Sequence, residues 1–277
     1  MRRLLAILAL ATMASGCPGP SSGPKHAEWP VMGTIASVKY YDNKDVPLGN
    51  WPIEDARRIF ADVERLLNAH DPESELSRLA RLSDAEVLAQ CDPMVRECYR
   101  AAFRLRDQTG GRFNPRWRGP GTMDLGAIAK GFAVDLAADK YLDFEKGHVG
   151  YAPYGGWRLL VDLGGNLKAR GAKGERWKVG IAGTDRTLEL RPGEACATSG
   201  EYYRGKHIRD GRDGSELTNT VYSVTVVHPS SAMLADGLST VMFILGREEG
   251  EKFLAKHYPE ARVIWCAIAG DGYESGR

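Results

Sequence analysis

The sequence predicts an α+β fold, built as two intimate subdomains of mixed or antiparallel sheet and helices. Three observations lead there. Amphipathic helical periodicity dominates the first half of the chain, and short β-branched runs cluster in the second. No regular β-α-β alternation links them, which argues against a doubly wound sheet. The length, 277 residues with 43% hydrophobic, suffices for one domain of about 250 residues or two closely packed units.

The elements follow in order. Val31 to Tyr41 reads as a first strand with Met32-Gly33-Thr34 at its start. Pro52 to Asn68 places Ile53, Ala56, Ile59, Phe60, Val63, Leu66 and Leu67 at helical spacing. The polar break after it contains Ser74 and Ser77, either of which can open a short helix. Asp92 to Gln108 is a further amphipathic helix, stopped by Gly110-Gly111. Gly111 to Gly121 is a loop rich in Gly, Pro and aromatics. It leads into D-L-G-A-I-A-K-G-F-A-V-D, Asp124 to Asp135, which predicts a turn and a helix running to about Leu142 with Asp124 as its N-cap.

Beyond that helix, Arg158 to Leu163 is a strand ending at Gly164-Gly165-Asn166. Trp177 to Ala182, Thr187 to Leu190, Ala195 to Thr198 and Tyr222 to Val227 are further strands. His207 to Gly214 is a polar loop. Ser230 or Ser231 caps a helix from Ala232 to Leu245, and Ala261 to Ala269 closes the fold as a strand.

The N-terminus carries an address. Arg2 and Arg3 precede the apolar run Leu4 to Ala11, and Ala14-Ser15-Gly16 precede Cys17. This reads as residues 1–17 of a signal peptide with a lipobox, predicting lipid on Cys17 and export to the outer side of a bacterial membrane. Residues 18–28 are a Pro/Gly/Ser tether, and 29–277 the folded domain. Export places the remaining cysteines in an oxidising compartment. Cys91 and Cys98 pair if the turn at Pro93 brings them together, whereas Cys196 and Cys266 read as buried apolar residues. A net charge of +1 gives no reason to expect a nucleic-acid partner.

Two stretches carry chemistry. Gly126, Ala127, Ala129 and Gly131 leave little side-chain bulk at a helix start, where free N–H groups and the dipole favour phosphate, and Lys130 adds a charge. In the late helix, Asp236 and Thr240 are four apart and lie on one face among apolar neighbours. Two oxygen donors without His or Cys suit a hard ion, magnesium before zinc. No G-x-S-x-G, H-E-x-x-H or Walker pattern occurs.

Taken in order, M-G-T (Met32 to Thr34), S-E-L-S-R-L (Ser74 to Leu79), F-N-P (Phe113 to Pro115) and the Asp124 to Asp135 stretch resemble one family. V-D-L-G-G-N (Val161 to Asn166), A-T-S-G-E-Y (Ala197 to Tyr202), H-I-R-D (His207 to Asp210) and A-D-G-L-S-T (Ala235 to Thr240) complete the set. The family is that of the FAD:protein FMN transferases, the ApbE-type flavin transferases.

The resemblance implies an FAD cleft, magnesium at the pyrophosphate, and transfer of FMN to a Thr or Ser hydroxyl of a target flavoprotein with release of AMP. It implies magnesium ligation by Asp236, Thr240 and the carbonyl of Ala127. It also implies FAD contacts from Met32, His70, Arg112, Phe113, Asn114, Asp124, Lys130, Thr198, Ser199, Gly200 and Ile208, with His207 or Asp210 as base. The implied partner is an exported or membrane-bound electron-transfer subunit. Three positions depart from the family pattern: His70 replaces an aromatic, Asn114 the Asp of F-D-P, and Gly211 a Pro. The last predicts a looser loop. An FAD pyrophosphatase, a flavin-binding lipoprotein and a structural envelope lipoprotein are the alternatives to transfer.

Overall fold

The computed structural model describes residues 23–42, 48–141, 157–182, 184–200, 207–218 and 221–267. The leader, the lipobox and residues 18–22 of the tether lie outside them.

Seven strands form one antiparallel sheet in the order β1-β2-β3-β4-β7-β8-β9. They are β1 Lys25–Val31, β2 Thr34–Tyr41, β3 Arg158–Leu163, β4 Asn166–Gly171, β7 Ala195–Gly200, β8 Val221–His228 and β9 Arg262–Ala267. A separate ribbon pairs β5 Trp177–Gly180 with β6 Thr187–Leu190. The helices are α1 Trp51–Leu67, α2 Glu75–Leu79, α3 Asp84–Gln90, α4 Arg96–Gln108, α5 Ala129–Asp139, α6 Ala232–Leu245 and α7 Arg247–His257. The α+β class is as expected, and all described strand pairs are antiparallel.

Period-two alternation decides which layer each strand residue joins. Ala36, Val38, Tyr40, Leu159, Val161 and Leu163 face the helices in a core that also takes in Phe60, Tyr99, Phe132 and Phe243. Tyr41, Leu160, Ala169, Cys196 and Val227 face the other way, where Trp177, Val179 and Leu190 of the ribbon cover them. Helices α5 and α6 lie directly on the sheet, α5 against β3 and β4, α6 against β7 and β8. Helix α1 packs outside α5, and α4 and α7 pack on α6.

Several expectations need correction. The first strand is a hairpin: Met32 (φ 50°) and Gly33 (φ 67°) form a two-residue turn between β1 and β2. A turn of this kind needs positive φ at both positions. Lys25 to Glu28 belong to β1, so the tether ends earlier than expected. Helix α4 starts at Arg96, preceded by the separate helix α3. Strand β4 and helix α7 were not expected. Cys91 and Cys98 are free, buried thiols, one at the end of α3 and the other inside α4. Cys196 and Cys266 are buried as expected. Among the described residues no helix is long and apolar enough to cross a membrane.

Candidate functional site

The sequence places Asp236 on a helix face that must pack, and the structure packs it against the start of α5. Helix α6 opens at Ser231, whose hydroxyl accepts from the Leu234 N–H at 3.1 Å. Asp236 lies one turn further on and is 5% exposed. Its Oδ2 accepts the Gly131 N–H at 2.9 Å and lies 3.8 Å from Lys130 Nζ. Its Oδ1 has no hydrogen bond among the described residues. Burial pushes the Asp236 pKa up, opposed by the Lys130 charge and the Gly131 N–H. The carboxylate is therefore held in an environment that lacks enough positive charge for it.

This contact corrects the expected cap. The N-cap residue of α5 is Ile128, which has no capping side chain. Asp236 supplies the missing acceptor from a different helix. Asp124 forms a local turn four residues earlier, accepting from Gly126 N–H at 2.8 Å and pairing with Arg118 at 3.1 Å. Ala127 sits in the turn between them, and Lys130 Nζ donates to Gly126 O at 2.6 Å. Gly131 is where the helices meet: a Cβ there would collide with the Ala232 backbone and lie 2.7 Å from Asp236 Cβ. No larger residue fits.

Strand β7 brings the hydroxyls. Ser199 Oγ is 2.7 Å from Ser239 Oγ and 3.1 Å from Thr240 Oγ1. Ser239 Oγ donates to Asp236 O at 2.9 Å. Asp236, Thr240, Ser199, Lys130 and Gly131 thus converge. Ser239 and Gly131 were not anticipated in this role, although both stand inside motifs already singled out. Thr198 points to the other face of β7, where its hydroxyl meets Thr225 Oγ1 at 2.7 Å. Gly200 ends the strand.

The remaining expected residues lie on two loops that clasp each other. Arg112 donates to Asp210 Oδ2 at 3.1 Å, Glu249 Oε2 at 2.6 Å and Ile244 O at 2.9 Å. Asn114 Nδ2 donates to Gly211 O at 3.0 Å, and Gly211 N–H donates to Arg112 O at 2.8 Å. A Cβ on Gly211 would lie 2.5 Å from Asn114 Cβ. The loop is pinned, not loosened, because proline has no N–H to donate and no room here. Phe113 is buried in the core. His207 is exposed at the start of the second loop, and Ile208 packs on the core.

Asp210 is fully engaged. Arg212 donates to it through its backbone N–H, Nε and NH2 at 3.1, 3.0 and 2.8 Å, in addition to Arg112. Hydrogen bonding to Arg212 first, then to Arg112, holds its carboxyl below the usual carboxylate range. That arrangement suits an anchor for the loop better than a proton acceptor.

Two expected cofactor residues stand outside these clusters. Met32 donates its N–H to Glu64 Oε1 at 2.9 Å in the first hairpin turn. Beside it lies the β3–β4 turn, where Gly164 packs on Thr34. His70 lines an open polar groove of about 530 Å³ with Ser77, Arg78, Arg81 and Gly121.

Fold and site together define an α+β protein with an oxygen-rich site at the crossing of two helices. The ApbE family model matches residues 32–119 and 116–265, and the chain belongs to the ApbE family. It is 28% identical to an FAD:protein FMN transferase of Vibrio cholerae, covering 90% of each chain. It is 31% identical to one of Haemophilus influenzae, covering 82% of each. Among solved structures, the H257G mutant of the flavin transferase ApbE from Vibrio cholerae superposes with a TM-score of 0.73 at 23% identity, covering 92% of this chain and 97% of that one. The apo flavinyl transferase ApbE of Pseudomonas stutzeri gives 0.72 at 20% identity, covering 98% and 96%.

Proposed function

We propose that this chain is an FAD:protein FMN transferase that moves FMN from FAD to a Thr or Ser hydroxyl of a target flavoprotein and releases AMP. The observation that carries this reading is Asp236: a buried carboxylate with one oxygen unbonded among the described residues, beside Thr240 and at the start of α5. The names of the relatives support it.

The donors fit a magnesium ion, since Asp236 Oδ1, Thr240 Oγ1 and the Ala127 carbonyl are all hard oxygens. Bound there, the ion would neutralise charge on the pyrophosphate. The rest falls to the chain. Lys130 and the α5 dipole attract the same phosphates. The acceptor oxygen forms a bond to the FMN phosphorus, the bridging P–O bond breaks, and AMP leaves with that electron pair. His207 takes the hydroxyl proton on an imidazole nitrogen.

The charged, apolar and small-residue pattern of residues 1–17 supports export with lipid on Cys17, and hence an acceptor among exported or membrane-bound electron-transfer subunits. The test is incubation with FAD and magnesium, with and without a flavoprotein subunit carrying an acceptor Thr. Transfer adds the mass of FMN to the subunit. Free FMN formed equally fast without the subunit would identify a pyrophosphatase.

A further inference from the structure

Helices α5 and α6 run antiparallel and cap each other. Asp236 of α6 accepts the Gly131 N–H near the start of α5. In return, Asp135 of α5 occupies the start of α6. Its Oδ1 accepts the Ala232 N–H at 2.7 Å, and its Oδ2 accepts the Met233 N–H at 3.0 Å and the Ser231 hydroxyl at 2.7 Å. With Ser231 serving Leu234, the first three N–H groups of α6 are all bonded.

Beneath Asp135 lies Lys168 of β4, whose side chain is fully buried. Its ammonium contacts Asp135 Oδ1 at 2.7 Å, Asp139 Oδ1 at 2.6 Å and Ser230 O at 2.7 Å, which uses its three protons. Arg170, two residues on, pairs with Asp139 at 2.5 Å. His228 Nδ1 accepts from Ser230 and Ser231 N–H at 3.3 and 3.0 Å. A buried charge bonded at once to two carboxylates of α5 and to the carbonyl just ahead of α6 ties the two helices together.

We infer that Asp135, held by Lys168, is a positioning residue for the Asp236–Thr240 pair. It sets where α6 stands along α5, and therefore whether Asp236 reaches Gly131 with one oxygen and leaves the other open. Only the last step, from register to cation affinity, rests on the magnesium reading above.

The experiment compares Asp135→Asn with Asp139→Asn in the full chain. An amide at 135 cannot accept three hydrogen bonds and a lysine with the same two oxygens, whereas the 139 change spares every bond to α6. In Asp135→Asn, exchange of the Gly131 amide with solvent speeds up while amides inside α4 keep their rates. The magnesium concentration for half-maximal FMN release from FAD rises about tenfold, and the rate at saturating magnesium stays near wild type. Asp139→Asn lowers the melting temperature and moves neither quantity. Should Asp135→Asn not fold, Ser231→Ala gives the same shifts at smaller size. An unchanged Gly131 amide in a destabilised but folded Asp135→Asn overturns the inference. If wild type responds to no magnesium at all, the cation reading has failed, and the Gly131 amide alone decides the positioning role.

Discussion

Asp236 and Asp210 are equally buried, at 5% exposure, and both stand in stretches that the sequence singles out, yet their surroundings differ. Asp210 is surrounded by guanidinium and backbone donors, so its ionised form is favoured. Asp236 receives one N–H and a lysine 3.8 Å away, and its ionised form is disfavoured. A carboxylate whose bonds are complete within the fold stabilises the fold. One left incomplete at a cost in stability retains capacity for a ligand.

Asp236→Asn tests the comparison most severely. Amide in place of carboxylate removes an ill-solvated charge, so the cation-free variant melts higher than wild type at neutral pH. Its flavin-transfer rate falls by about 100- to 1000-fold. A lower melting temperature measured without magnesium would break the contrast. The sign follows from linkage: a carboxyl with a raised folded pKa gains stability as pH falls through that value, and loses it as pH rises.

Gly131→Ala comes next. The methyl group has no space between the helices, and overpacking of this kind costs about 1–3 kcal/mol. Denaturant unfolding should show that loss, together with weakened magnesium dependence as Asp236 is pushed aside.

Asp210→Asn addresses the other side. It should cost about 1–3 kcal/mol through lost charge-assisted bonds, with the saturated transfer rate within about tenfold of wild type. A larger kinetic loss, without further loss of stability, would restore Asp210 as a base. Because its folded pKa is lowered, wild type carries this stability above the ordinary carboxylate range and loses it as pH falls through the folded value. The variant should lack that acid limb.

The smallest effect belongs to Asn114→Asp. It sets a carboxylate against Gly211 O, and thermal melting should report about 1 kcal/mol lost.

The fold was legible where side chains advertise their layer. Helix α1, helix α6 with its Ser231 cap, and β6 stand where periodicity put them. Strand β4 was hidden because N-L-K-A-R-G reads as a polar loop. Lys168 and Arg170 point inward and are buried only because Asp135 and Asp139 wait on α5, a long-range pairing that no local window shows. Helix α3 carried a signal that went unused, the Ser83–Glu86 capping box. Helix α7 contains Gly250, which weakens its pattern, although Met242 and Trp265 crowd that position.

At the site, the four-residue spacing rightly placed Asp236 and Thr240 on one face, and both meet groups of the converging cluster. Spacing did not reveal that Asp236 serves a different helix. The expected cap at Asp124 failed for the same reason, because a cap can come from anywhere in the chain that packing brings close.

The touching pair Asn114 and Gly211 bears on how this chain can be rebuilt from its relatives. An aspartate at position 114 would leave the Gly211 carbonyl without its donor. A proline at position 211 would drive a ring into Asn114 and cancel the N–H given to Arg112. Any exchange of these segments with those of another protein should therefore carry both loops entire, because each supplies one donor to the other across the seam.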